Sequence, residues 1–406
     1  NDMEEWADSV LEQFNIESFG ENKGKFIFFA SQGVSLKPGD PEYGDALIIA
    51  FDKAMMSLQE QYLMNRFGKI STEKLRSFFS DRSTNAREIP LPAIGDPGFT
   101  GKIFKILEKG LDVADKKLDK ELIKLGTDPR ELAKLTPPQK KDLFRDKFIK
   151  TSIRQASGSI AGLFPIQTKV IVDNEGRTAV GVVALASSKT LQVAKDIRLQ
   201  RKSLIKGKGR DIKTLLPGSN QEYIGTLGVR LAYDQDSTPA IISYGIASYH
   251  PDTGDDYFND ELKAEAKKAA IANADAQIAE IISGRMNAKN QRKAGSEIKK
   301  YVQREMKLDS DTIEKDFKNI IKITTRESKS SAQAKLQGIS TIKTWRYTNK
   351  TGQKFVGAVR VWKYATLGAV NSFNKPKPVH KSKKQKKKTN QIFQQTSKAV
   401  NTLDDF

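Results

Sequence analysis

The chain has 406 residues, with 69 Lys plus Arg against 49 Asp plus Glu and a formal charge of +20. That length predicts two or three domains at roughly 100–200 residues each, and a hydrophobic share of 38% points to a core diluted by long polar segments. The absence of Cys and the presence of only His250 and His380 exclude thiol nucleophiles, disulfides and Cys-based zinc sites. They also leave almost no material for a multi-His metal centre or a Ser-His-Asp triad.

The chain opens on Asn1 and reaches its first Met at Met3, which predicts a removed leader or a fragment. Export through a cleaved signal fits that start. No window approaches the ~20 continuous apolar residues of a membrane span. Residues 1–19 read as an N-terminal helix. Residues 20–195 follow as a first α+β unit, with a leading strand at Phe26–Ser31 and a helix over Asp45–Phe67. An insertion at about 71–148 is rich in charge and helical pattern, with apolar positions at Ile103, Ile106, Leu107, Leu111, Val113 and Leu118. Within it, Thr136-Pro137-Pro138-Gln139 has the cap, the Pro at the first helical position and the Gln at N3 of a capping box. The unit ends in a hairpin, Ile166–Leu185, turning on Asn174-Glu175-Gly176.

Residues 196–221 form a basic linker. Its Lys206-Gly207-Lys208-Gly209-Arg210 run lacks the later Gly, Lys and Ser/Thr of a P-loop, and is read as a flexible connection that needs no ligand. Residues 222–366 then repeat the first unit. Gly162, Gly176 and Gly181 recur as Gly338, Gly352 and Gly357, all offset by 176, as do Ile166 and Thr168 (Ile342, Thr344) and Val180 and Val183 (Val356, Val359). Upstream, Phe26–Ser31 is matched to Ala240–Gly245, with Ser35 to Ser248 and Pro38 to Pro251 at offset 213. The second helix, Asp260–Met286, is small-sided: Ala266, Ala269, Ala270, Ala272, Ala274, Ala276 and Ile278 suit it to lie close against a sheet. Ser296–Ile321 fills the gap before the final hairpin, with Asp311 and Glu314 as a capping pair. The fold class is therefore α+β: two tandem repeats of an antiparallel sheet covered by helices on one face, with a helical insertion in the first repeat.

Residues 367–406 are a Lys-rich C-terminal tail. Between Asn374 and Asn390 it carries eight Lys and no acid; taking those eight from +20 leaves +12 on the rest. Such a run repels itself and is expected to be disordered unless a polyanion orders it. Lys381, Lys383, Lys384, Lys386, Lys387 and Lys388 are the candidate contacts to lipopolysaccharide, anionic lipid or nucleic acid.

Other candidate sites have ordinary readings beside the functional one. Asp252, Asp255 and Asp256 lie on a Gly-containing loop and could hold a hard cation such as Ca²⁺. Acids before a helix equally serve as caps and dipole partners, without the EF-hand spacing. Trp345 and Trp362, with Arg346 and Arg360 nearby, could stack on bases or anchor a subunit interface; aromatics on a strand more commonly fill a sheet–helix core. His250 reads as a turn residue. Ser157-Gly158-Ser159 has no base assigned to it. No catalytic residue and no cofactor are expected.

The second copy resembles the LPP-type family of bacterial outer-membrane-associated proteins, the module shared by FlgP and the first domain of FlgT. The resemblance rests on the Ala-spaced helix Ala266–Met286 and on Leu336–Trp362, where Leu336, Gly338, Trp345, Gly352 and the strand Phe355–Val361 fill the family pattern. It implies a non-enzymatic structural module, exported to the periplasm, outer-membrane surface or extracellular space. Such modules self-associate into rings, tubes or filaments, some of them flagellum-associated. The chain has no Cys for a lipid anchor, which leaves contacts between copies as the means of retention. The alternative reading is a polyanion-binding module acting through the basic tail. An enzyme using carboxylates of the two acidic turns is set aside, because nothing in the sequence brings those turns together.

Overall fold

A computed structural model describes residues 2–79, 115–251, 254–283, 338–366 and 394–398, together with 102–103, 105–107 and 111. Helix α1 (Asp2–Gln13) precedes the hairpin β1 (Gly20–Asn22) and β2 (Lys25–Gly33), whose two-residue turn places Lys23 and Gly24 at φ of 51° and 81°. Positive φ at both turn residues matches the right-handed twist of the flanking strands. After α2 (Tyr43–Phe79) and the helical residues among 102–111, the described residues include α3 (Asp115–Lys124), α4 (Pro129–Leu132) and α5 (Pro137–Ser157). The hairpin β3 (Phe164–Val172) and β4 (Thr178–Ala186) and helix α6 (Ser188–Arg198) close the first copy. The second copy has the hairpin β5 (Gly228–Tyr233) and β6 (Pro239–Tyr249), helix α7 (Asp256–Ser283), then β7 (Ile339–Thr348) and β8 (Lys354–Lys363); β9 (Gln394–Thr396) lies beyond it.

The protein is α+β with two antiparallel sheets, and the repeat is one of topology. The orders are β1-β2-β4-β3-β9 and β5-β6-β8-β7. In each copy a hairpin leads into a helix, and a second hairpin inserts its last strand beside the first. Both second hairpins carry a register shift at the equivalent residue, between Pro165 and Gln167 and between Thr341 and Lys343. Their turns are also alike: Asp173 Oδ1 accepts from the main-chain N–H of Glu175 and Arg177, as Asn349 Oδ1 does from Thr351 and Gln353. Gly176 and Gly352 follow at φ of 75° and 83°, a conformation that a Cβ disfavours.

The ladder corrects the upstream alignment. Phe26 faces Ala186 across β2 and β4, and Ile241 faces Trp362 across β6 and β8. Phe26 thus corresponds to Ile241, and Gly33 rather than Ser35 corresponds to Ser248. A slip of one residue turns every side chain to the other face. Runs such as Phe26-Ile27-Phe28-Phe29, apolar on both faces, carry no alternation to fix that register.

Helix α7 covers one face of the second sheet through its small residues, with Ala266, Ala270, Ala274 and Ile278 buried at successive turns. A Cβ on Gly245 would stand only 1.8 Å from the Ala270 carbonyl oxygen, and Ser243 Oγ donates to the Ala274 carbonyl at 2.8 Å. Arg360 spans strand and helix by a two-pronged pair to Asp275, at 2.7 and 3.1 Å. The first sheet is covered on both faces. Trp6, Val10, Leu11 and Phe14 of α1 pack on Ile27, Ile166, Val183 and Leu185, while α2 meets the opposite face where Tyr43 Oη lies 2.9 Å from Thr178 Oγ1.

The compact units do not follow the repeats. Both sheets fall in one unit, whereas Gln59–Ile160 belongs to a second, helical one. The insertion therefore begins inside α2, about a dozen residues before the expected position 71. Its core joins Leu63, Phe67 and Leu75 to Ile103, Leu107, Leu111, Leu118, Leu122, Phe144 and Phe148. Val113 lies outside the described residues, as do Asp311 and Glu314. At the start of α5, Gln139 Oε1 accepts from the Thr136 N–H at 2.9 Å, as the capping pattern requires. No helix among the described residues is long and apolar enough to cross a membrane.

The basic linker is packed rather than loose. Arg210 N–H donates to the Tyr233 carbonyl at 3.2 Å and Gly207 N–H reaches the Ser237 carbonyl at 3.5 Å. A Cβ on Gly207 would fall 2.3 Å from the Tyr233 ring. Ser203, 1% exposed, donates to Asp196 Oδ2, whose other oxygen takes Arg201 Nε at 2.6 Å. Burial raises the Asp196 carboxyl pKa and the bonds from Arg201, Ser203 and Gln192 lower it; the net shift is downward. The glycines read as flexibility in sequence serve close approach instead, Gly207 to the Tyr233 ring and Gly209 to the Asp234 carbonyl.

Candidate functional site

The outer edge of β3 is completed by a strand from the far end of the chain. Antiparallel pairing sets Lys169 against Thr396, Val170 against Gln395 and Ile171 against Gln394. Next along, the Thr168 N–H donates to Ser397 Oγ and the Ser397 N–H to the Thr168 carbonyl. Ser397 is 1% exposed. One wall of this slot is the short turn Glu222–Gly225, where a Cβ on Gly225 would lie 2.5 Å from the Gln395 carbonyl oxygen. Only glycine leaves room there for another main chain.

Thr168 also ties the two sheets together. Its hydroxyl donates to the Gly225 carbonyl at 2.7 Å and accepts from the Leu227 N–H at 3.2 Å and from Arg230 Nη2 at 2.9 Å. Arg230, on β5, is 1% exposed and uses Nη1 on the carbonyls of Leu227 and Val229, both at 2.8 Å. Burial pulls its pKa down to about 10, against the opposing pull of Tyr244, whose ring centroid lies 6.0 Å from the guanidinium carbon. This arginine is held by carbonyls, a hydroxyl and a ring. A charged fork suits that set of partners, since it offers five donors in one plane.

A second join lies around Gln353, which is fully buried. Its Oε1 accepts from the Gly39 N–H at 3.0 Å and its Nε2 donates to the Asp40 carbonyl. Ser248 Oγ donates to the Pro41 carbonyl and accepts from the Gly44 N–H, both at 2.7 Å. The acidic turn of copy one, Asp40 to Asp45, thus docks on the hairpin of copy two through main-chain groups.

Trp345 and Trp362 are core residues rather than interface anchors. Trp345 is 3% exposed and Trp362 is 2% exposed; the first stacks on Tyr223 with centroids 5.2 Å apart, and the second meets Tyr364 edge-on at 4.8 Å. Their alternate spacing on strands did not distinguish an inward face from a surface platform. Lys381, Lys383, Lys384, Lys386, Lys387 and Lys388 lie outside the described residues. Of the cation candidates, Asp252 also lies outside them. Asp255 Oδ1 accepts from the N–H groups of Tyr257 and Phe258, at 2.9 and 3.1 Å, and so caps α7, whose first turn also holds Asp256. No group of three or more metal-ligating acids or His occurs among the described residues. Ser159 Oγ donates to the Ala156 carbonyl as a helix-end bond, and His250 lies 3.5 Å from the Pro251 carbonyl.

The sequence reading missed Thr168, Arg230, Gln353 and Ser397. For Thr168, Arg230 and Gln353 the only signal was a polar residue in a strand or hairpin, which does not name the partner; Ser397 lies just after β9, within the stretch read as tail.

Comparison with known proteins matches residues 103–199 to the family described as Domain of unknown function (DUF6844). No curated protein matches the chain. Among solved structures, a hypothetical protein from Francisella tularensis, determined at 2.3 Å, superposes with a TM-score of 0.50. Its identity is 22%, with 89% of each chain covered; the likeness is one of fold.

Proposed function

We propose that this protein is a non-enzymatic structural subunit of an exported bacterial envelope or extracellular assembly, in which copies associate through their sheets. The observation that carries this reading is the β3 edge. It is completed by a strand far removed in sequence, seated against Gly225 and bonded to Thr168, whose hydroxyl also accepts from Arg230. Among the described residues the second sheet ends in β7, a ten-residue strand, and a row of edge N–H and C=O groups is a template for pairing with another chain. The duplicated module and the likeness of its second copy to the LPP-type pattern support the same reading.

The test is the size of the native protein by mass photometry and electron microscopy. Discrete large assemblies are expected. A strictly monomeric protein at high concentration would overturn the proposal.

A polyanion-binding role is the second reading, favoured by the +20 charge and the eight Lys between Asn374 and Asn390. It expects binding to lipopolysaccharide or DNA that weakens steeply with salt and falls when 375–388 are removed. Salt-insensitive binding retires it.

A further inference from the structure

Resting on the structural-subunit reading, we infer that the slot beside β3 is a strand-exchange site, and that its alternative occupant is Gln394–Ser397 of a second copy. Nothing in the slot depends on the strand coming from the same chain. It is built from the β3 edge at Thr168–Ile171 and the wall at Gly225. The occupant contributes three paired residues and the Ser397–Thr168 bonds, and main-chain pairing of this kind gives affinity with modest demands on side chains.

The connection allows the exchange. Residues 367–393 separate Thr366, whose hydroxyl donates to the Gly338 carbonyl, from β9, and about 27 residues have a contour of up to ~90 Å. A compact unit of about 260 residues, the size of the one that holds both sheets, has a radius of gyration of roughly 18 Å. The segment is thus long enough to reach the same slot on a neighbour, and exchange of an identical element between copies is a low-cost route to assembly. With the connection shared, occupancy within one chain competes with occupancy between chains, and the balance shifts toward exchange as concentration rises. Each copy both offers a strand and receives one, so the contact closes as a reciprocal dimer or continues from copy to copy.

The chain has no Cys, so introduced thiols report pairing without background. Full-length Ile171→Cys and full-length Gln394→Cys, Cα partners across the slot, are mixed after a heat or denaturant cycle, oxidised and run without reductant. A disulfide-linked dimer that increases with protein concentration is expected from the mixture and from neither variant alone. The chain carrying both substitutions should give a mixture of internally closed monomer and linked multimers. Exclusive internal closure at every concentration, or no crosslink in any arm, overturns the inference.

Removal of 391–406 provides an independent arm, with circular dichroism confirming that the shortened chain is folded. Loss of large assemblies on removal is expected. Assemblies that persist without the segment overturn strand exchange while leaving self-association standing, whereas a monomeric intact chain overturns self-association itself.

Discussion

Trp6 occupies above Gly181 the place that Trp345 occupies above Gly357. The two glycines are equivalent residues of β4 and β8. A Cβ on Gly357 would lie 2.0 Å from the Trp345 ring, and one on Gly181 would lie 2.7 Å from the Trp6 ring. The residue cross-strand from Gly357 is Trp345, whereas the residue cross-strand from Gly181 is Lys169. The first copy has no indole on that strand, and α1 supplies one, with Met3 beside it against Gly181. Burial depresses the pKa of Lys169, 9% exposed, and Asp2 and Glu5 of α1 pull it back up.

The first prediction follows from that replacement. Trp6→Ala should destabilise the chain by about 3–5 kcal/mol, the usual cost of emptying a buried large-aromatic site. Gly181→Ala and Gly357→Ala should each cost about 1–3 kcal/mol through overpacking. Denaturant unfolding, followed by tryptophan fluorescence, measures all three.

Arg230 should resist conservative replacement. Lys offers a point charge where the carbonyls of Leu227 and Val229 and the Thr168 hydroxyl take a planar fork, so Arg230→Lys is expected to lose about 1–3 kcal/mol from unpaired buried groups. Stability equal to the parent in a thermal melt would show that the fork geometry is dispensable.

Stability should fall as pH rises through the weakly acidic range. Burial pushes Asp52 on α2 up to about 6. Burial, with the Asp52 charge added, pushes Glu280 on α7 up to about 7. Folded-state values above the unfolded ones mean that the folded chain holds more protons between them, and ionisation then opposes folding. The loss between about pH 4 and about pH 8 is on the order of 2 kcal/mol per group. It should shrink in Asp52→Asn and Glu280→Gln. A denaturant midpoint measured across that range that is flat in the parent contradicts the assignment.

Gln353 holds the acidic turn of copy one to the hairpin of copy two. Gln353→Leu should cost about 2–3 kcal/mol by leaving the Gly39 N–H and the Asp40 carbonyl without partners. Faster amide hydrogen exchange at Gly39 is the local sign to be sought by mass spectrometry.

The linker gives the last prediction. Gly207→Val places branched carbons in the Tyr233 ring and should detach the 200–210 segment, raising its proteolytic sensitivity. Gly33→Val, at a position where a Cβ meets nothing within 4 Å, serves as a comparison in which the 200–210 cleavage rate is expected to be unchanged.

The repeat, the small-sided helix and the insertion were all legible in the sequence, because glycines at constant offset, alanines at helical spacing and apolar positions at 103, 106, 107, 111 and 118 each carry a period. The register of β2 against β6 was not legible, since a strand buried on both faces has no alternation. Nor was the fate of Lys206–Arg210, since a glycine needed for close approach is indistinguishable from one needed for freedom until the Tyr233 ring is placed beside it.

The sequence by itself determined that this is a duplicated α+β protein with a strongly basic end, because local periodicity and internal self-likeness are properties of the chain alone. Only the tertiary structure decided that both sheets belong to one unit, that a helix supplies the tryptophan missing from copy one, and that residues 394–397 close the edge of β3. Those outcomes depend on contacts between residues up to about 300 positions apart in sequence, and hydrogen bonding and close packing are set by proximity in space, on which sequence spacing is silent.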